Sequence, residues 1–174
     1  MAILNDEIVK LIKRYEGGWS VDPRDKGNAG GGCTMSGVTL ATFRSVYGNK
    51  KTCADLKKLT NAQWNLIFRV KYWQRWKADD IKNQSIANLL VDWLWVSGAW
   101  GIKYPQRVLG VVDDGIVGAK TIAAINNYKN QEQLFNKLWA KRKAHFEGIV
   151  AANPSQKVFL KGWLNRLNAF KFKK

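Results

Sequence analysis

The chain has 174 residues, with 29 Lys and Arg against 13 Asp and Glu and a formal charge of +16. That length holds one hydrophobic core, or a core with a small appendage, and excludes two large domains. No run of about 18 uncharged apolar residues is present, which excludes a membrane-spanning helix and stable membrane insertion. The basic excess calls for a polyanionic partner, which nucleic acid, anionic lipid and cell wall all satisfy.

The N-terminus carries Asp6 and Glu7 where a signal peptide would be basic, and has no continuous apolar stretch, so no signal peptide of the usual form is expected. Apolar residues recur at three- and four-residue spacing, which predicts a mainly α-helical fold. Asn5 caps a first helix with Ile8, Leu11, Ile12 and Tyr15 on one face, and Gly17-Gly18 stops it, leaving Glu16 at its end. From Ser20 to Gly37 the chain is rich in Gly, Asp and Pro without periodicity, which predicts a long irregular loop or a small hairpin.

A second helix is expected over about Leu40–Tyr47, between the cap Thr39 and Gly48, and a capping box of Thr60 and Gln63 opens a third carrying Trp64, Ile67, Phe68 and Tyr72. Ser85 is a fitting cap for a strongly apolar helix, Ile86 to about Val96, expected to be the central core element. Beyond Gly98-Ala99-Trp100-Gly101 the pattern predicts a short helix near Gln106–Leu109 and a turn at Asp113-Asp114-Gly115. Helices should then start from about Lys120 and run from Glu132 to about Ala151, and a last one beyond Pro154 should carry Phe159, Trp163 and Leu167.

Several chemistries are disfavoured by inventory. Cys33 and Cys53 are too few for a disulfide framework and lack the partners of a zinc site, so neither metal nor cofactor is expected; a bridge between them is open if the loop folds onto the second helix, but without an export signal two free thiols are the expectation. His145, the single histidine, lies in a Lys/Arg-rich helical stretch and reads as an ordinary helix residue, which argues against triad chemistry. The run Gly30-Gly31-Gly32-Cys33 lacks the Gly-Lys-Ser/Thr ending of a phosphate loop.

Glu16 is different. The negative end of a helix dipole and apolar burial both disfavour an ionised carboxylate, so a glutamate there is suited to act as a general acid. Glycoside hydrolysis needs such an acid and a second group, and Asp25, nine residues on across a loop, is placed to face it, with Thr34 offering a hydroxyl to a water. The bland reading is equally open at this point: a solvated helix end, turn aspartates around Pro23, and a flexible glycine loop.

The ordered segments Glu16-Gly17-Gly18-Trp19, Asp22-Pro23-Arg24-Asp25 and Thr34-Met35-Ser36-Gly37-Val38-Thr39 resemble the signature of glycoside hydrolase family 108, lysozyme-like N-acetylmuramidases and secretion-activator-type proteins. That resemblance implies that Glu16 is the catalytic acid. Asp92-Trp93 through Ser97-Gly98, Gln106–Val111 and Asp114–Thr121 are similar to the region called a type 3 peptidoglycan-binding domain. Together they imply a lysozyme-like catalytic region over 1–100 and a helical peptidoglycan-binding-like region over 101–174, packed as one globular unit. The Glu-to-Asp interval also resembles phage-type lysozymes, where Glu, Asp and Thr act in this order, which extends the catalytic set to Asp25 and Thr34. Here the Asp-to-Thr interval is lengthened by Gly27–Gly32, Trp19 stands where Tyr is commoner, and Val96 stands where a polar Asn is expected.

The expected protein is therefore a lysozyme-like peptidoglycan hydrolase. It would cut the β-1,4 bond between N-acetylmuramic acid and N-acetylglucosamine, with Glu16 as acid and Asp25 as base or nucleophile. The carboxylate separation would decide between those roles, about 5 Å for a retaining enzyme and about 6.5–9.5 Å for an inverting one. Among nine Trp, Trp19, Trp73, Trp76, Trp93, Trp95 and Trp100 are candidate sugar platforms, with Trp19 favoured as substrate-facing and Trp93 read as core, and Asp92 either lines a cleft or sits in a buried network. A monomer is expected, made without a usual signal peptide and acting on the cell wall, as a phage endolysin or by another export route. The alternatives are a non-catalytic peptidoglycan-binding or secretion-associated module, and a nucleic-acid-binding helical protein whose binding would be strongly salt-sensitive.

Overall fold

The computed structural model describes residues 1–22, 26–28 and 30–173. The chain divides into two compact units, residues 5–71 and residues 72–174 with 1–4.

In the first unit, α1 (Asp6–Tyr15) starts where Asn5 accepts a hydrogen bond from the Ile8 amide at 3.2 Å, with Asp6 and Glu7 in its first turn and Lys13 and Arg14 in its last. Those charges complement the helix dipole. Ile8 and Ile12 are fully buried. After Gly17-Gly18 the chain enters an antiparallel sheet of three two-residue strands, β1 (Trp19–Ser20), β2 (Thr34–Met35) and β3 (Val38–Thr39), in that order, with Ser20 opposite Thr34 and Met35 opposite Val38. The β2–β3 turn places Ser36 and Gly37 at φ 49° and 77°, the left-handed pair that a two-residue hairpin needs, and glycine supplies half of it at no steric cost. Trp64 Nε1 donates to the Ser36 carbonyl at 3.0 Å and so fixes that turn.

Thr39 then caps α2 (Leu40–Tyr47), its hydroxyl accepting from the Thr42 amide at 3.2 Å. A short α3 (Cys53–Lys57), which periodicity did not predict, is held by a capping box of Thr52 and Asp55, and α4 (Asn61–Phe68) by the predicted box of Thr60 and Gln63. Cys33, just before β2, and Cys53, the first residue of α3, form a disulfide. This corrects the expectation of two free thiols: folding of the glycine-rich loop against α3 brings the Cα atoms to 5.9 Å, within bonding reach.

The chain runs from α4 through a wide turn at Arg69–Trp73 into the second unit. Its centre is α5 (Gln84–Ser97), with nine buried side chains, as its apolar sequence predicts. The cap is Asn83, which accepts from the Ile86 amide at 3.0 Å, rather than Ser85, whose hydroxyl instead accepts from the Lys173 amide at 2.9 Å. The next helix, α6 (Trp100–Leu109), begins directly after Gly98 and is longer than predicted. Gly101 falls inside this helix rather than ahead of it, and it has a tertiary reason: a Cβ there would lie 2.4 Å from the Leu94 backbone nitrogen, so only glycine lets α6 cross α5 this closely. The remaining helices are α7 (Ala119–Asn126), α8 (Gln131–Ala152) and α9 (Lys157–Asn168).

The motif boundary at residue 100 thus falls between two helices that pack on each other, while compactness divides the chain near residue 71. Among the described residues no helix is long and apolar enough to cross a membrane.

Candidate active site

Glu16 is the residue that ends α1: its backbone is extended (φ −92°, ψ 139°), and its amide donates to the Lys13 carbonyl at 3.2 Å. Its side chain is half-buried. Gly17 and Gly18 follow, exposed and with open space where a Cβ would stand, so the chain beside Glu16 is bare of side chains. Lys13, one turn earlier, is tied to Asn61 Oδ1 at 2.9 Å and lies 4.5 Å above the Trp64 ring, and burial lowers its pKa.

Trp19 on β1 is partly exposed, with Lys57 Nζ 5.6 Å from its ring centre. On the adjoining strand, Thr34 lies opposite Ser20, which places it near the strand that leads away from Glu16. The hydroxyl of Thr34 donates to Asn28 Oδ1 at 2.8 Å. Asn28, only 1% exposed, also donates from Nδ2 to Ser20 Oγ at 3.2 Å and to the Asp22 carbonyl at 3.1 Å. One buried amide therefore joins the two ends of the loop that separates β1 from β2. The glycine run closes against it, since a Cβ on Gly32 would stand 3.1 Å from the Asn28 Cα. Asp25 lies outside the described residues.

Asn28 carries no sequence signal that separates it from an ordinary turn residue ahead of glycines; its role depends on Ser20 and Thr34 in space. Much of the Thr34–Thr39 motif has a local structural reason as well, Gly37 for the hairpin turn and Thr39 for the α2 cap.

In the second unit, Asp92 takes the buried-network place that the sequence left open, not a cleft wall. It is fully buried, receives Arg142 Nη2 at 2.7 Å on one oxygen and Arg166 Nη2 at 2.6 Å on the other, and has no surface to offer a sugar. Burial pushes its carboxyl up, but the two guanidiniums more than offset this and hold it below the ordinary carboxylate range. The rest of the Arg142 guanidinium lies among the rings of Phe146, Phe170 and Trp93, with centroids 5.4, 5.8 and 6.0 Å away. Trp93 is core, as expected, and Trp73 and Trp76 are fully buried too, which removes them as sugar platforms, whereas Trp95 is partly exposed and packs on Tyr72 with centroids 4.6 Å apart. His145 on α8 packs against Tyr104 at 4.8 Å, and burial, with Arg142 and Lys141 nearby, lowers its pKa.

The Gln106 and Asp114 motif residues build a turn. Gln106, 1% exposed, donates to Asp114 Oδ1 at 3.0 Å and the Ile116 carbonyl at 2.9 Å, and accepts from the Gly115 amide at 2.9 Å. Gly115 stands at φ 78°, where glycine is favoured.

A mainly helical chain with a small sheet after its first helix and a glutamate at that helix's end has the features of a lysozyme-like glycoside hydrolase. The model described as Glycosyl hydrolase 108 matches residues 9–98, and the one described as Predicted Peptidoglycan domain matches residues 100–168. The chain belongs to glycosyl hydrolase family 108 and is a peptidoglycan hydrolase. Among solved structures it is similar to SagA of Brucella abortus, at 32% identity over 94% of this chain and 89% of that one, with a TM-score of 0.78. No curated protein matches the chain.

Proposed function

We propose that the protein is an N-acetylmuramidase that cuts the β-1,4 bond between N-acetylmuramic acid and N-acetylglucosamine, with Glu16 as the general acid. The observation that carries this reading is the placement of Glu16 where α1 gives way to two bare glycines and then to Trp19 on β1. The two glycines that follow add no side chain beside that carboxyl, which leaves room for a sugar to approach from their side. Glu16 protonates the leaving oxygen, and Asp25 stabilises the charged sugar or activates water from the opposite face. Thr34, with its hydroxyl proton directed to Asn28, has its oxygen left as an acceptor for that water. Trp19 supplies a flat face for a sugar ring, and Trp95 is a second such platform. The charge of +16 suits an anionic wall, on which the protein acts as a monomer.

The test is turbidity loss and muropeptide release from purified peptidoglycan by wild type and Glu16→Gln, with the new reducing end identified. Removal of a general acid should lower the rate by about 10²–10⁴-fold. New reducing-end muramic acid, absent with the variant, supports the assignment. Undiminished release by Glu16→Gln, or a different reducing end, sinks it.

A further inference from the structure

Trp100, the first residue of α6, is a large apolar side chain left 46% exposed. It is not loose. Its ring stacks on Tyr104 one turn later, with centroids 5.2 Å and planes 27° apart. Tyr104 in turn packs against Trp93 of α5 at 6.2 Å and His145 of α8 at 4.8 Å. Trp93 is fully buried, so Trp100 is the outer rung of an aromatic ladder rooted in the core. A ring held this way presents a flat apolar surface with little rotamer entropy left to lose on binding.

Cations surround the ladder. Lys103 Nζ and Arg107 Cζ lie 5.6 and 5.7 Å from the Trp100 ring centre, and Lys141 Nζ lies 5.3 Å from that of Tyr104. Arg107 is paired with Asp113 at 2.5 Å, whereas neither Lys103 nor Lys141 forms an ion pair among the described residues. Tyr104, His145 and Lys141 also line a groove with Ala144, Gly148 and Ala152, small residues at four-residue spacing on α8. Nothing stands within 4 Å of where a Cβ on Gly148 would be, so the groove is open there.

We propose that this aromatic and cationic face of α6 and α8 binds the peptide-bearing strand of peptidoglycan, Trp100 taking the apolar face of a sugar and Lys103 and Lys141 the stem-peptide carboxylates. The inference rests on the chain acting on peptidoglycan and names the part of the wall that its second half holds. A bare glycan would use the aromatic platform but offer the lysines only the single lactyl carboxylate of each muramic acid, whereas a stem peptide brings several carboxylates further from the sugar. A ligand that alternates amphipathic sugar rings with carboxylated peptides matches both, by shape and by charge.

The test uses the full chain and two soluble ligands: the disaccharide of N-acetylglucosamine and N-acetylmuramic acid with its stem peptide, and the same disaccharide without it. Neither contains the bond that a muramidase cuts. Isothermal titration of wild type should show at least tenfold tighter binding of the peptide-bearing ligand. Lys103→Glu with Lys141→Glu should erase that preference, and Trp100→Ala should weaken both ligands by a similar factor. If Trp100→Ala loses its helical circular dichroism, the lysine pair, whose side chains lie outside the core, decides alone. Unchanged binding by the lysine pair, or equal weakening of both ligands by it, overturns the proposal. A cleavage assay that fails to yield reducing-end muramic acid removes the muramidase reading and leaves this titration standing.

Discussion

Asn28 Oδ1 accepts the hydroxyl proton of Thr34 at 2.8 Å while its amide nitrogen holds Ser20 and the Asp22 carbonyl, so a single buried side chain closes the loop between β1 and β2. Asn28→Ala leaves those groups to find water in a closed space, and each buried group so orphaned costs about 1–3 kcal/mol. Urea denaturation should show a loss of that order, and wall-clearing activity should fall further than stability, because Thr34 loses its orientation. A variant as stable and active as wild type would show that the loop is held by other means.

The disulfide between Cys33 and Cys53 spans 20 residues. Cross-linking a loop of that size restricts the unfolded chain by about 3 kcal/mol. Cys33→Ser with Cys53→Ser, or reduction of the native protein, should lower the stability of residues 5–71 by roughly this amount. Thermal melts with and without reductant measure it, and reductant should have no effect on the double variant.

Asp92 faces two arginines in a fully buried site. Asp92→Asn keeps the shape and removes the charge, leaving both guanidiniums without an anion, which should cost about 3–5 kcal/mol. The sign of the pH dependence follows from the lowered carboxyl: its folded pKa lies below its unfolded one, so its contribution is complete above an unfolded pKa of about 3.9 and is lost as pH falls through the folded value. Acid titration of stability should therefore show a component below about pH 3.9 in wild type that Asp92→Asn lacks.

Gly101→Ala adds one methyl where the Leu94 nitrogen and Cα would be 2.4 and 2.5 Å away. Helix propensity alone would make this change favourable by up to about 1 kcal/mol. Backbone overlap reverses the sign, and a net loss of about 1–3 kcal/mol is expected by chemical denaturation. Stabilisation would mean that α5 and α6 can separate without cost.

What could be read from the sequence was local. Asn5, Thr39 and Thr60 cap helices by bonds to residues three positions on, so α1, α2 and α4 could be placed from neighbours alone. Asn83 and Ser85 are equally good caps by residue type, and the choice between them is made by Lys173, whose amide engages Ser85 from 88 positions away. The sequence places Gly101 ahead of the helix, because its use, room for α5, is tertiary. The pairing of Cys33 with Cys53 needs α3, which is too short for periodicity to announce. In the candidate site, Glu16 was legible as a helix end beside glycines, whereas Asn28 was not, since its three partners converge only after the loop closes.

Asp92 has one more consequence, which precedes the folded state. From Ile86 to Val96 the helix is apolar apart from Asn88 and Asp92, and the arginines that neutralise the carboxylate follow 50 and 74 residues later. A chain made from its N-terminus therefore presents this segment long before its counter-ions exist. An aspartate at the middle of a helix opposes entry into a bilayer by about 2.5–3.5 kcal/mol. The charge that is sealed between α5, α8 and α9 in the folded protein thus also makes the isolated segment a poor guest for a bilayer.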